Sequence, residues 1–282
     1  MPRMDGHRDI SNAGLRFRKM HGLGNDFVVI DQRGSPAVLE AGLVRAIGDR
    51  HRGVGFDQLV EIFPGANADA DLTFWNADGT QAEACGNATR CVADLLLGET
   101  GHPNLVLRTV RGELACRRRD DGLIEVDMGP PSLDWQDVPL AEAQDTARLA
   151  LDGTPAACSM GNPHCTFFVD DVDAADLNTI GRATEHHPLF PNRTNVQLVQ
   201  VNTPNHARVR VWERGVGPTL ASGSSSCAVV VNAHRRGLLD RQATLTLDGG
   251  DIDIHWREED GHVLMAGPVA YVFEGVFDPS FA

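Results

Sequence analysis

Two strings in the chain place a side chain capable of nucleophilic or acid–base chemistry directly before a glycine, at the predicted start of a helix. Cys85–Gly86 precedes N-A-T-R-C-V-A-D-L-L-L-G, and Ser222–Gly223 precedes S-S-S-C-A-V-V-V-N-A-H-R-R-G. The free backbone N–H groups and the dipole of a helix start stabilise an anion. We therefore expect a lowered pKa for the Cys85 thiol, with part of it thiolate at neutral pH. The same N–H groups can bind a carboxylate.

Both strings belong to an internal repeat with an offset of 137 residues. At this offset a set of polar residues and glycines in the first half coincides with a similar set in the second half, without a gap. The pairs are Asn25 with Asn162, Gln58 with Asn195, Asn76 with Glu213, Cys85 with Ser222, Gly24 with Gly161, and Gly86 with Gly223. The repeat predicts two copies of one unit that face each other across a shared site.

Two helix starts that meet in this way favour proton transfer at a carbon next to a carboxylate. The N–H groups would clamp the carboxylate, and a side chain would stand on each face of the neighbouring carbon. As the C–H bond breaks, enolate-like charge develops on the carboxylate, and donors aimed at that charge stabilise the transition state. The sequence contains no dinucleotide-binding, phosphate-loop or pyridoxal motif, so we expect no cofactor.

The pattern of apolar residues predicts an α+β fold of two similar mixed sheets, each curled around one helix. The helix after Cys85 is predicted to end at Gly98, and the helix after Ser222 at Gly237. The boundary between the units is expected at the Pro-rich G-P-P-S of residues 129–132. Strands are predicted at 15–19, 26–31, 54–64, 70–75, 104–109, 113–117, 123–127, 167–169, 244–247, 251–256, 262–265 and 270–274. The last of these is expected to cross back to the first unit, which gives domains at 15–131 plus 268–282 and at 132–267, after a disordered tail at 1–14.

Length and composition indicate a soluble globular protein rather than a nucleic-acid or membrane protein. The 282 residues suggest about two domains, and a net charge of −14 argues against nucleic acid and anionic membranes as partners. No apolar run is long enough to span a bilayer, and the polar start lacks the features of a secretory signal. Six cysteines without a C-x-x-C pair indicate neither a disulfide scaffold nor a zinc site. We expect a cytoplasmic protein that binds a small molecule and no metal.

Motifs along nearly the whole chain resemble the diaminopimelate epimerase family, whose members are cofactor-independent amino-acid epimerases. The matching strings are K-M-H-G-L-G-N-D-F (19–27), G-F-D-Q (55–58), N-A-D-G-T-Q-A-E-A-C-G-N (76–87), G-N-P-H (161–164), R-T-N-V (193–196) and E-R-G-V-G-P-T-L-A-S-G (213–223). The resemblance implies conversion of LL-2,6-diaminopimelate to the meso form, or the reverse, in lysine and peptidoglycan-precursor biosynthesis. It also implies a homodimer.

The resemblance further implies roles for individual residues. Cys85 is similar to one of two catalytic cysteines, Ser222 occupies the place of the other, and His164 is similar to a supporting histidine near that pair. Glu213 would receive the distal ammonium of the substrate, and Gln58 would line the site beside Cys85. Backbone N–H groups for the reacting carboxylate would come from Gly86, Asn87, Gly223 and Ser224, and side chains for the distal end from Asn25, Asn76, Asn162, Asn195 and Arg214.

Ser222 departs from the family pattern, which has cysteine at this position. A hydroxyl is a poor general base at neutral pH because an alkoxide is much harder to form than a thiolate. Three explanations fit the sequence: an engineered Cys-to-Ser change, a natural serine with reduced or direction-biased turnover, or divergence to another reaction such as elimination. Two functions therefore stand beside the epimerase: a single-thiol lyase or isomerase on another amino acid, and a silent module that binds a diaminopimelate-like ligand.

The remaining cysteines have a simpler interpretation. Cys91 and Cys227 fall more than a turn inside their helices, so we expect them to be small buried hydrophobes. The same is expected of Cys116, Cys158 and Cys165. Cys227 lies five residues beyond Ser222 and therefore cannot replace it at the helix start.

Overall fold

The computed structural model describes residues 14–34, 38–82, 85–278 and 280–281, and the predicted disordered tail falls almost wholly outside these ranges. Seventeen strands and four helices lie within them, which agrees with the predicted α+β class. The helices are α1 (Ala41–Gly48), α2 (Gly86–Thr100), α3 (Leu177–Glu185) and α4 (Gly223–Arg235). The strands of the first half are β1 (Arg16–Gly22), β2 (Asn25–Asp31), β3 (Gln58–Pro64), β4 (Ala70–Asn76), β5 (Gln81–Ala82), β6 (Asn104–Thr109), β7 (Gly112–Arg118) and β8 (Ile124–Asp127). Those of the second half are β9 (Ala156–Ser159), β10 (Pro163–Phe168), β11 (Asn195–Thr203), β12 (His206–Glu213), β13 (Gly217–Thr219), β14 (Gln242–Leu247), β15 (Gly250–Trp256), β16 (Val263–Gly267) and β17 (Ala270–Val276).

The internal repeat of the sequence is also present in the register of the strands. In the first unit β2 runs parallel to β3 with Phe27 opposite Gln58, and in the second β10 runs parallel to β11 with His164 opposite Asn195. These two pairings differ by 137 residues at both positions. Register places side chains on a chosen face of a sheet, so the equivalent polar residues of the two units face their sites in the same way.

The two units are joined by an antiparallel pair of equivalent strands. β8 pairs with β16, and Asp127 stands opposite Leu264, its own equivalent in the repeat. This register is unchanged when the two units are exchanged, as expected for a pseudo-twofold axis between β8 and β16. The last strand, β17, pairs antiparallel with β1, so the C-terminal strand does cross back to the first unit.

One apolar core contains α2 and α4 and residues of the sheets of both units. Cys91 and Cys227, near the middle of these helices, are both fully buried in it. Cys116, Cys158 and Cys165 are also buried. The interpretation of these five cysteines as small hydrophobes is therefore confirmed. Helices α1 and α3 were not predicted; they pack against separate, smaller apolar clusters on the outer sides of the sheets.

Two predicted boundaries are wrong for local reasons. Helix α2 continues through Gly98 to Thr100, and Gly101, in the left-handed conformation with φ of 69°, forms its C-cap. Gly98 has no atoms within 4 Å of the position of a Cβ, so nothing around it stops the helix. Residues 54–57 precede β3 rather than belonging to it, because the chain turns at Gly55 with φ of 71°.

Candidate active site

Cys85 and Ser222 are the N-cap residues of α2 and α4. Cys85 has an extended backbone, and its sulfur accepts a hydrogen bond from Ala88 N at 3.4 Å. Ser222 has the same extended backbone and is buried, but its side chain makes no capping hydrogen bond. In both strings the glycine that follows is the first helical residue. The predicted positions at two helix starts are therefore present in the structure.

The two helix starts converge on one methionine. A Cβ placed on Gly86 would lie 2.8 Å from Met265 Cε, and a Cβ placed on Gly223 would lie 2.7 Å from Met265 Sδ. Met128, the equivalent of Met265 in the repeat, also contacts Gly86, with its Cε 3.1 Å from the same Cβ position. Met265 thus packs against the starts of both α2 and α4, and Met128 packs against the start of α2.

The first unit brings four predicted residues together in two hydrogen-bonded pairs. Asn87 Nδ2 donates to Asn25 Oδ1 at 3.0 Å, and Gln58 Nε2 donates to Asn76 Oδ1 at 3.3 Å. Asn25 Nδ2 in turn donates to Asp57 Oδ2 at 2.8 Å. Asp57 was not among the predicted site residues, although it directly precedes Gln58 in the G-F-D-Q motif.

The second unit holds Asn195 and Arg214 in one network. Asn195 Nδ2 donates to Pro163 O at 3.0 Å, and Asn195 Oδ1 accepts from Arg214 N at 3.0 Å. The guanidinium of Arg214 donates to Asn192 O at 3.2 Å and is otherwise exposed. Arg214 is therefore held by its backbone while its charged end is free to meet a ligand.

His164 is fully buried and contacts Asn162. Its Nε2 lies 2.9 Å from Asn162 Oδ1, and its Nδ1 lies 3.1 Å from Gln197 Nε2. Since an amide oxygen only accepts, the proton is on Nε2 and Nδ1 accepts from Gln197. Burial, together with the charges of Arg214 and Arg111, lowers the pKa of His164 to about 3. The ring is neutral at physiological pH, and Gln197 is a supporting residue that the sequence motifs did not indicate.

The electrostatics of the site differ from the expectation for Cys85. Burial raises the pKa of the Cys85 thiol to about 12, although hydrogen bonds from Ala88 N and Asn87 N oppose the rise. The prediction of a partly ionised thiol is therefore wrong for the unliganded chain, because loss of water outweighs the helix start. The negative charge of Glu213 also raises the pKa of Cys85, so Glu213 lies within electrostatic range of the thiol.

Glu213, at the end of β12, has a pKa close to physiological pH. Burial raises its pKa to about 7, a hydrogen bond from Thr219 Oγ1 at 2.8 Å lowers it, and the charge of Asp57 raises it. A carboxyl poised in this way titrates in the physiological range and can accept a hydrogen bond from an ammonium when ionised. Thr219 is a residue that the sequence analysis did not single out, although it lies within the last family motif.

No group of three His, Cys, Asp or Glu side chains that could hold a metal ion occurs in the described ranges. No helix of the described residues is both long and apolar enough to cross a membrane.

Comparison with known proteins decides the family. Residues 17–133 and 156–272 match the family model for diaminopimelate epimerase. The chain belongs to the diaminopimelate epimerase family. A diaminopimelate epimerase from Acidiphilium cryptum (strain JF-5) is 54% identical over 270 residues, which cover 94% of this chain and 97% of the relative. One from Rhodospirillum centenum (strain ATCC 51521 / SW) is 53% identical over 266 residues, 92% of this chain and 91% of the relative. These relatives favour the epimerase over the lyase and the silent binding module.

More distant solved structures share the fold of the epimerase family. A PhzF-family phenazine biosynthesis protein from Bacillus anthracis has a TM-score of 0.68 at 15% identity and covers 93% of this chain and 98% of its own. A hydroxyproline epimerase from Agrobacterium vitis, with bound trans-4-hydroxy-L-proline, has a TM-score of 0.66 at 14% identity and covers 94% and 91%. The two-unit arrangement is therefore common to proteins with very different sequences.

Proposed function

We propose that the chain interconverts LL- and meso-2,6-diaminopimelate by removing the α-proton on one face of the carbon and returning a proton on the other. The observation that carries the proposal is the convergence of two equivalent helix starts on Met265, with Cys85 and Ser222 as their N-caps. The identity of the substrate is inferred from membership of the diaminopimelate epimerase family. No cofactor takes part in this proposal.

The reacting carboxylate is bound by backbone N–H groups of the two helix starts. These belong to Gly86 and Asn87 in α2 and to Gly223 and Ser224 in α4. Both helix dipoles then stabilise the same charge, and the donors gain strength as enolate character develops. Because Met265 packs against both glycines and Met128 packs against Gly86, the donors are held in place before the substrate arrives.

The distal amino-acid head of the substrate is bound by polar residues of both units. Arg214 offers a planar fork for the distal carboxylate, and Glu213 accepts from the distal ammonium. Amide groups complete the set, since they both donate and accept; they are Asn25, Gln58, Asn76, Asn162 and Asn195. His164 acts through Asn162, whose side-chain oxygen it holds at 2.9 Å.

Proton transfer is divided unequally between the two units. Cys85 is the stronger acid–base group because a thiol ionises far more readily than the hydroxyl of Ser222. Ser222 still donates a proton or holds a water that does so. We therefore expect slow turnover, with exchange on the Cys85 face faster than inversion.

Hydrogen–deuterium exchange at the α-carbon tests the proposal. The chain and its Ser222→Cys and Ser222→Ala variants are incubated with LL- or meso-diaminopimelate in D2O, and the α-proton is followed by NMR. We expect slow exchange, or slow inversion, in the unchanged chain and recovery of inversion by at least ~100-fold in Ser222→Cys, since a weak general base is restored to an effective one. An inert Ser222→Cys variant that binds diaminopimelate tightly would overturn the proposal, and release of ammonia would identify a lyase.

We also propose that the enzyme is a homodimer formed through β17. This strand pairs with β1, and no other strand of the described chain pairs with it. Tyr271, Val272 and Phe273 expose about half of their surfaces, at 53%, 53% and 51%. An unpaired strand edge with apolar side chains is a surface that proteins normally cover.

Val272→Glu should yield monomers by light scattering after gel filtration, whereas Val110→Glu, at an exposed turn, should not. An unchanged mass for Val272→Glu would exclude this interface.

Two further assignments complete the proposed function. All six cysteines are free, which is typical of the reducing cytoplasm, and we place the enzyme there. We also retain the division of the chain into domains at 15–131 plus 268–282 and at 132–267. The pairing of β17 with β1 supports this division.

A further inference from the structure

Arg90 is a fully buried cation in the second turn of α2. Its exposed fraction is 0%, and it is the largest fully buried side chain of the described residues. Its Nη1 lies 3.3 Å from Met265 Sδ, while Nε and Nη2 have no hydrogen-bond partner. Burying a charge without an ion pair is costly, so the position calls for an explanation beyond stability.

The guanidinium lies in a slot formed by glycines from both units. A Cβ on Gly22, at the end of β1, would lie 2.8 Å from Arg90 Nη2, and a Cβ on Gly267, at the end of β16, would lie 3.2 Å from Arg90 Cζ. Any side chain at either position would displace the guanidinium. The fold thus accommodates this group in the plane between the two units, beneath Met265.

One methionine links the charge to the helix start that carries Cys85: Met265 Sδ lies 3.3 Å from Arg90 Nη1, and Met265 Cε lies 2.8 Å from the Cβ position of Gly86. Long side chains in a helix lean toward its N-terminus, so the Arg90 side chain leans back toward the first turn of α2. The ionisable groups that influence Arg90 are the thiols of Cys85, Cys91 and Cys227, and no carboxylate is among them. Cys91 and Cys227 are fully buried in the apolar core. Cys85 alone is in the active site, and the other charge facing it is Glu213.

The repeat makes the two helix starts unequal in this respect. The equivalent of Arg90 in α4 is Cys227, 137 residues later. The cation therefore accompanies the thiol of Cys85, and α4 has no cation at the matching place. A positive charge near a helix N-terminus opposes the helix dipole, and an anion at that start removes the conflict.

We propose that Arg90 is a positioning residue whose buried charge makes the start of α2 the stronger anion site, stabilising the thiolate of Cys85. The inference rests on the proposed function for the identity of Cys85 as the proton-transferring group. Arg90 does not contact the substrate. It acts through Met265 and the first turn of α2, and it favours the ionised form of a thiol whose burial disfavours it.

Alkylation of Cys85 by iodoacetamide tests the proposal without substrate. Below its pKa, the alkylation rate of a thiol follows the thiolate fraction, which falls tenfold for each unit by which the pKa rises. We expect the rate constant at pH 9 to fall by at least ~10-fold in Arg90→Met and by less than ~3-fold in Arg90→Lys, which keeps the charge. The log rate should still rise with pH in all variants, displaced to higher pH in Arg90→Met.

Arg235→Met is the matched control. Arg235 lies at the end of α4 and is partly buried, but its guanidinium donates to Ala157 O at 3.0 Å and to Thr146 Oγ1 at 2.8 Å. Its removal should lower stability and leave the alkylation rate of Cys85 within twofold. Arg90→Met should keep or raise stability, because an apolar group replaces an unpaired buried charge.

Each other outcome decides against the proposal. A folded Arg90→Met variant with an unchanged alkylation rate shows that the charge does not act on Cys85. Failure of Arg90→Met and Arg90→Gln to fold, while Arg90→Lys folds, shows that the charge is structural. The epimerase assignment fails separately, by an inert Ser222→Cys variant in the D2O experiment, which leaves the alkylation comparison intact.

Discussion

Asn87 Oδ1, in the first turn of α2, lies 3.2 Å from the position that a Cβ on Gly223 would occupy in the first turn of α4. The two helix starts are thus in direct contact across the boundary between the units. Asn87 Nδ2 also donates to Asn25, so the same side chain joins the helix start to the polar residues of the first unit. This contact places the first turns of α2 and α4 side by side.

Gly223→Ala should disturb this contact and the chemistry together. Its Cβ would lie 2.7 Å from Met265 Sδ, so the packing must shift, at a cost of about 1–3 kcal/mol in the free energy of unfolding. Displacement of the helix start should lower α-proton exchange at least ~10-fold in a Ser222→Cys background. Urea denaturation and NMR in D2O measure the two effects. Gly98→Ala is the control, and unchanged exchange in Gly223→Ala would show that the close approach is not needed.

The end of α2 gives a prediction about stability alone. Gly98 is exposed within the helix with no neighbouring atoms, so Gly98→Ala should raise the free energy of unfolding by about 0.5–1 kcal/mol. Gly101 has φ of 69°, and Gly101→Ala should lower the same quantity by about 1 kcal/mol because a Cβ is strained there. Thermal denaturation of both variants measures the difference. A lower free energy of unfolding in Gly98→Ala would contradict the continuation of α2 through Gly98.

Glu213 should determine how substrate affinity depends on pH. Its pKa is raised to about 7 by burial, so the carboxyl is neutral below that pH and cannot balance the distal ammonium. We expect kcat/KM to rise between pH 6 and 8 and Glu213→Gln to lose the rise. Thr219→Val removes the hydrogen bond that lowers the pKa of Glu213 and should move the midpoint upward. A midpoint unaffected by Thr219→Val would assign the titration to another group.

His164 should remain neutral where an ordinary histidine becomes charged. Its pKa is lowered from 6.5 to about 3 by burial, so its ring signals in an NMR titration should not move between pH 8 and 4, with the urea-unfolded chain as reference. The folded state binds this proton less readily than the unfolded chain. Its contribution to stability is present above pH 6.5 and is lost as pH falls, by at most roughly 1.4 kcal/mol per pH unit. A titration near pH 6 would contradict the supporting role.

Cys85 should be the single thiol that reacts in the folded chain. It is half-buried, while the other five cysteines are buried. Iodoacetamide followed by intact-mass analysis should show one modification in native buffer and six in urea, and Cys85→Ser should show none in native buffer. Modification of a second thiol in the native chain would mean that α2 or α4 opens.

Much of the fold was predictable from the residues because polar residues and glycines recur at a constant offset in the two halves of the chain. Both central helices and twelve of the strands were predicted from apolar periodicity and turn residues, and the return of β17 to β1 is confirmed. Strands β5, β9, β11, β12 and β13 were not predicted. Helices α1 and α3 were missed because each is short, with 8 and 9 residues, and buries its apolar side against a small outer cluster. Short amphipathic segments resemble loops when only the sequence is considered.

The residues of the candidate site were predicted from the sequence, but the pKa of Cys85 was not. Cys85, Ser222 and the amide residues occupy positions that a repeat can reveal, since each has an equivalent at the same offset. Asp57 and Thr219 lie inside the family motifs, yet nothing in the motifs shows that they influence Glu213. Arg90 lies three residues beyond the motif that ends at Asn87, and its burial is visible only in the structure. Gln197 lies outside the motifs, one residue past R-T-N-V, and becomes visible only where it meets His164.

The sequence by itself determined the family, the duplication and the two helix starts, because these depend on residue types and on their spacing. Only the tertiary structure decided the protonation of the site. A helix start lowers the pKa of a thiol, whereas burial raises it, and the balance depends on how much water the packing removes. The same packing places the unpaired Arg90 beneath Met265, at the boundary that neither half of the chain forms alone.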